Sequence, residues 1–135
     1  MNNAYLWCSA HTPTQEQRFE LESQGRLVIL SEVNGELQAQ LNNTPMDANE
    51  LSLLAKDLMH YASRVVGADY IVQPGGSPAF QAILGMRQRF NMDFESEEYV
   101  SLMYAHSERV SEDIPQADGT VKKVSVFKHL GWINC

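Results

Sequence analysis

Near its start the chain carries a short apolar run, Ala4-Tyr5-Leu6-Trp7-Cys8, that breaks off sharply into Thr12-Pro13-Thr14-Gln15. A run this short and this uniformly apolar suits a strand buried on both faces, as in a parallel sheet. The residues that follow read as a helix start, with Thr12 as N-cap, Pro13 at the first helical position and Gln15 three residues after the cap. A strand that hands over directly to a capped helix is the repeating unit of α/β folds.

The same handover recurs along the sequence. Gly25 ends the first helix, Leu27-Val28-Ile29-Leu30 reads as a second buried strand, and a brief helical stretch follows around Glu36 to Leu41. Asp47-Ala48-Asn49-Glu50 is a capping box, after which Leu51, Leu54, Ala55, Leu58, Ala62 and Val65 keep helical spacing up to Gly67. Tyr70-Ile71-Val72 predicts a third strand. Gln73-Pro74-Gly75-Gly76-Ser77-Pro78 then turns into a helix carrying Phe80, Ile83, Leu84 and Phe90, capped by Ser77 and opened by Pro78. Asn91 to Glu98 reads as a loop from its polar, acidic composition, and Tyr99 to Ala105 as a fourth strand. Together these imply a Rossmann-like α/β fold, a mostly parallel sheet flanked by helices. The last third changes character. Arg109 to Ile114 and Val121 to Phe127 alternate like strands around Asp118-Gly119, which predicts a C-terminal antiparallel β-hairpin. With 135 residues and no internal repeat or linker, residues 1–135 form a single domain on this reading.

Charge narrows the partners. A net charge of −7 argues against general DNA or RNA binding, which draws on a basic surface. It leaves room for a small anion held in a local pocket. The longest apolar runs, such as Leu27 to Leu30 and Leu102 to Ala105, are far short of the roughly 20 residues a membrane span needs. Met1-Asn2-Asn3 opens no secretion signal. Cys8 lies in an apolar run and Cys135 is the last residue, with no C-x-x-C, so neither a zinc site nor a disulfide is expected and the cytoplasm is the simplest compartment.

In an open α/β sheet, ligands bind beyond the carboxyl ends of the strands. That rule selects Ser9-Ala10-His11-Thr12 after the first strand, Gln73-Pro74-Gly75-Gly76-Ser77 after the third, and His106-Ser107-Glu108-Arg109 after the fourth. The Pro-Gly-Gly-Ser turn presents backbone amides at the positive end of a helix, with glycines that let a phosphate approach. Its other reading is a tight turn capped by Ser77. It lacks the Lys of a P-loop and the third glycine of a dinucleotide fingerprint, so neither triphosphate hydrolysis nor NAD binding is supported. His11 stands where an imidazole can move a proton or donate to a phosphate, or simply shape the turn. Arg109 can grip a phosphate in bidentate fashion, or form a surface ion pair with Glu108, Glu112 or Asp113. His106 and Glu108 share the H-x-E of zinc deaminases, but no P-C-x-x-C accompanies them. No grouping of the four histidines has metal-ligand spacing, so no metal or other cofactor is expected. Lys122, Lys123 and Lys128 are expected on a solvated hairpin face, and Tyr104 and Phe127 in the core.

Three separated stretches together resemble a known family. They are Ser9 with the H-x-x-T-x-x-Q of His11, Thr14 and Gln17; Asp69-Tyr70-Ile71-Val72-Gln73 with its glycine turn; and Tyr104-Ala105 with Ser107-Glu108-Arg109, leading to Asp118-Gly119 and Val126-Phe127-Lys128-His129. This order is similar to that of the small stand-alone ancillary proteins of type III CRISPR systems, which are related to the CARF domain and include ring nucleases. Leu130-Gly131-Trp132 departs from the basic ending of the family's final motif. The resemblance implies a CARF-like fold and a cytoplasmic homodimer that binds cyclic oligoadenylate, foremost cyclic tetra-adenylate, across its two-fold axis. In a ring nuclease a ribose 2′-hydroxyl attacks the adjoining phosphate without a metal, giving linear di-adenylate with a 2′,3′-cyclic phosphate and ending an antiviral signal. A non-catalytic binder that sequesters or senses the messenger is the alternative. On this reading His11, Ser107 and Arg109 are expected to be catalytic. Ser9, Thr12, Gln73, Gly75, Gly76, Ser77 and His106 are expected to hold the ligand.

Overall fold

The computed structural model describes residues 3–93 and 100–135. Strands β1 (Asn3–Trp7), β2 (Gly25–Ile29), β3 (Tyr70–Val72), β4 (Ser101–Pro115) and β5 (Val121–Asn134) form one sheet in the order β2-β1-β3-β4-β5. The first four run parallel and β5 returns antiparallel to β4, so the fold is a mostly parallel α/β sheet ending in a β-hairpin. The helices are α1 (Gln15–Glu22), α2 (Leu30–Val33), α3 (Gly35–Asn42), α4 (Ala48–His60) and α5 (Pro78–Asp93).

Register explains why the central strands are apolar throughout. Leu6, Ile71 and Leu102 stand in one row across β1, β3 and β4. They share a core with Leu30, Leu41, Leu58, Phe80 and Leu84 from α2 to α5. The next row, Trp7, Val72 and Met103, faces the other way and packs with Leu21 of α1 and Ile29 of β2. Both faces are covered, so no polar alternation survives. β2 is an edge strand, and only its last residue, Ile29, is buried. Burial also pushes the Cys8 thiol well up from its ordinary value.

Several boundaries differ from the sequence reading. The N-cap of α1 is Thr14, not Thr12: its hydroxyl accepts from Gln17 N at 3.1 Å while the Gln17 side chain accepts from Thr14 N at 3.0 Å. This reciprocal box satisfies two otherwise orphaned N–H groups. The stretch after α4 continues as a π-helical turn, Tyr61–Val66. Its wider winding rotates the chain, so Val66 packs on the core and Val65, expected inside, is 63% exposed. Asn91, Met92 and Asp93, read as loop, extend α5. Residues 94–98 of that expected loop, Tyr99 and the side chain of Phe90 lie outside the described residues.

The correction with most consequence concerns β4. The expected fourth strand and the first arm of the hairpin are one continuous strand, with a bulge between His106 and Ser107. The His106 to Arg109 segment is therefore strand and not a loop. Among the described residues no helix is long and apolar enough to cross a membrane.

Candidate functional site

β1 lies between β2 and β3, so the winding of the sheet reverses at β1. Loops leaving the carboxyl ends diverge at such a point and open a crevice. A cleft of about 550 Å³ lies there. Ser9, Ala10 and His11 line it after β1, Gly75, Gly76 and Ser77 after β3, and Leu41, Asn42 and Thr44 from the end of α3 onward.

The first loop is pinned from below. The buried Trp7 indole donates to the backbone carbonyl of His11 at 2.6 Å, and His11 N donates to Ser9 Oγ at 3.2 Å. Behind it, Gln38 Nε2 donates to Cys8 O and to Asn42 Oδ1, both at 3.0 Å, tying α3 to the end of β1. Gln38 Oε1 is buried without a partner among the described residues.

The second loop needs its glycines. A Cβ on Gly75 would stand 2.9 Å from Cys8 O, so the two loops touch only because Gly75 has none. Gly76 has φ 105, a region that side chains resist, and a Cβ there would meet the Phe80 ring at 2.8 Å. Ser77 caps α5 as the sequence implied, its Oγ accepting from Phe80 N at 3.1 Å. The 16-residue α5 thus points its N-terminus at the cleft, where its dipole favours an anion. Hydroxyls of Ser9, Thr44 and Ser77, the Asn42 amide and the His11 imidazole add hydrogen-bonding groups around that end. Among the described residues the lining contains no Lys or Arg, so the attraction for an anion there comes from dipoles and hydrogen bonds within a chain of net charge −7.

Of the residues expected at the site, Ser9, His11, Gly75, Gly76 and Ser77 come together in this cleft. Thr12 follows His11 in the same loop and is exposed. Gln73 serves the frame: at φ 51 its N donates to Met103 O at 2.8 Å and its Oε1 accepts from Ala105 N at 3.0 Å, extending the pairing of β3 with β4. His106, Ser107 and Arg109 are exposed on β4 and are not part of the lining. The Arg109 guanidinium lies 5.0 Å from the centre of the Phe127 ring, a cation–π contact. Phe127 itself, expected in the core, is 71% exposed, whereas Tyr104 does pack on the core.

Asn42 and Thr44 were missed. The signal was present in the capped start of α4 at Asp47, whose Oδ2 accepts from Glu50 N at 3.0 Å. A helix that returns along a parallel sheet begins at the carboxyl edge, so the polar residues just before its cap lie beside the crevice. Another cavity, of about 560 Å³, is a side groove between α4 and α5 lined by Ala48, Ser52, Ile83, Met86 and Arg87, and no strand-end loop contributes to it.

A polar joint on the other face of the sheet fixes the base of the hairpin. Glu20 Oε2 accepts from the Trp132 indole at 2.6 Å and lies 3.2 Å from His129 Nε2, linking α1 to β5. The Trp132 hydrogen bond holds the Glu20 carboxyl below the ordinary glutamate value, with His129 adding to it and desolvation opposing. Among the described residues no three His, Cys, Asp or Glu side chains converge as a metal site.

Residues 3–133 match the family described as Uncharacterized protein MJ1673 family. No curated protein and no solved structure matches the chain.

Proposed function

The chain belongs to the uncharacterized MJ1673 protein family, and from its carboxyl-edge cleft we propose that it binds a cyclic oligoadenylate and cuts it as a ring nuclease. The observation that carries the reading is that His11 and the N-terminal end of α5, reached through Gly75, Gly76 and Ser77, line one cleft. A helix N-terminus to hold the phosphate and an imidazole beside it to take a proton both serve cleavage by an internal hydroxyl. The ribose 2′-oxygen attacks the adjoining phosphorus as His11 takes its proton. The bond from phosphorus to the 5′-oxygen breaks, the departing 5′-oxygen takes a proton from water, and a 2′,3′-cyclic phosphate and a free 5′-hydroxyl remain. Charge gathering on the phosphate oxygens is met by the helix end and by the Ser9 and Ser77 hydroxyls. The cleft lies within the usual range of small-molecule sites, room for a nucleotide unit. A ring of four nucleotides then spans two copies of the chain.

A second reading, a binder that retains the messenger intact, is favoured by one feature, the lack of Lys or Arg among the described residues of the lining. Labelled cyclic tetra-adenylate incubated with the purified chain separates the two. Repeated turnover to di-adenylate ends, lost in His11→Ala, supports cleavage. Stoichiometric retention of intact ring supports the binder, and no binding at all overturns both.

A further inference from the structure

Among the described residues, beyond Ala105, whose N–H is taken by the Gln73 side chain, β4 and β5 pair only with each other up to Pro115 and Val121. A two-stranded ribbon by itself is marginal in water. In register, one face of this ribbon carries Glu108, Val110, Glu112 and Ile114 on β4 opposite Lys128, Val126, Val124 and Lys122 on β5. Val110, Val124 and Val126 are only partly covered and Ile114 is 43% exposed. The face is thus an apolar stripe with acids along one strand and bases along the other. The opposite face, with Arg109 and Asp113 both on β4, has no such division of charge.

We propose that this face docks against the same face of a second copy, about a two-fold axis running along the strands. That axis lays β4 of one protomer over β5 of its partner. It sets Glu108 against Lys128 of the partner subunit and Val110 against Val126 of the partner subunit. A two-fold axis across the strands would instead stack acid on acid and base on base. The pairing is isologous and self-complementary, as a closed dimer requires. Opposite charges then fix its orientation while the valines exclude water. The inference rests on the two-copy element of the ring-nuclease reading and not on the identity of the ligand.

Sedimentation of the full chain without ligand tests it. The expected result is a dimer whose dissociation constant rises with added salt, a measurement that needs no variant. Glu108→Lys with Glu112→Lys, and separately Lys122→Glu with Lys128→Glu, should each weaken self-association by about tenfold or more. Mixed in equal amounts, the two variants should recover a dimer, and circular dichroism checks that each is folded. A control on the other face, Phe127→Ser, should leave association unchanged. A chain that stays monomeric at every concentration overturns the proposal, as does a dimer indifferent to salt, or folded variants that do not rescue one another. Ligand binding, assayed in parallel, can fail while the dimer stands, and that outcome rejects only the cyclic oligoadenylate.

Discussion

The indole N–H of Trp7 reaches past the end of β1 to the backbone carbonyl of His11, at 2.6 Å. Trp7 is buried in the core on the α1 side of the sheet, so the loop that presents the imidazole is anchored to packed core. Trp7→Phe keeps an aromatic ring and removes the donor. It should cost on the order of 1–3 kcal/mol, combining one lost hydrogen bond with the smaller ring's cavity. It should also weaken ligand binding beyond what the stability loss accounts for. Urea unfolding and a binding titration on the same variant check the two effects separately.

Gly75 and Gly76 bear different constraints, and substitution should separate them. In Gly75→Ala the methyl meets the backbone carbonyl of Cys8, which Gln38 already holds, so the two loops must move apart. In Gly76→Ala the strain is in the backbone itself, at φ 105, with the Phe80 ring alongside. Each should lose roughly 1–3 kcal/mol of stability. Gly75→Ala should also widen the cleft and lose affinity for the anion. Equal stability of either variant with the parent, by thermal unfolding, rejects the corresponding constraint.

Alternation of strand and capped helix made the sheet legible because each helix start advertises itself through a local hydrogen bond. Asp47 and Ser77 cap where the residues said they would. Thr12 failed because Thr14 offered a competing box two residues on, a choice decided by which reciprocal pair closes. The cleft was legible in two of its three segments, since a strand's carboxyl end is recognisable wherever a buried run stops. The His106 to Arg109 segment, expected to join them, continues β4 instead, because nothing local marks where β4 runs on past β3. Ser101 to Arg109 is strand-like throughout, and only the pairing changes: β3 is paired as far as Met103, and from Tyr104 on β5 is the ladder partner. Contacts such as Gln38 to Cys8, 30 residues apart in sequence, have no signature in a single chain.

Acid should loosen the joint between α1 and β5. The Trp132 hydrogen bond, supported by His129, lowers the Glu20 pKa in the folded chain. The resulting stabilisation is fully present above the ordinary glutamate value and is lost as pH falls through the lower, folded value. Unfolding free energies of the parent and of Glu20→Gln, compared between about pH 3 and about pH 6, should differ most at the upper end and converge at the lower. A difference that stays constant across that range removes the ionised carboxylate from the joint.

The structure separates two of the three residues that the sequence reading expected to be catalytic. His11 lines the cleft, whereas Arg109 sits on exposed strand with its guanidinium over Phe127. If cleavage takes place in the cleft of a single protomer, His11→Ala should slow it by about tenfold or more, the low end of what a positioned acid or base contributes. Arg109→Ala should then leave the rate within about twofold, because the guanidinium touches neither the cleft nor its supporting loops. A large loss in Arg109→Ala with His11→Ala unaffected would move the chemistry out of the switch-point cleft and onto the hairpin. Single-turnover rates with cyclic tetra-adenylate, measured at saturating protein, distinguish these outcomes because binding and chemistry are then read apart.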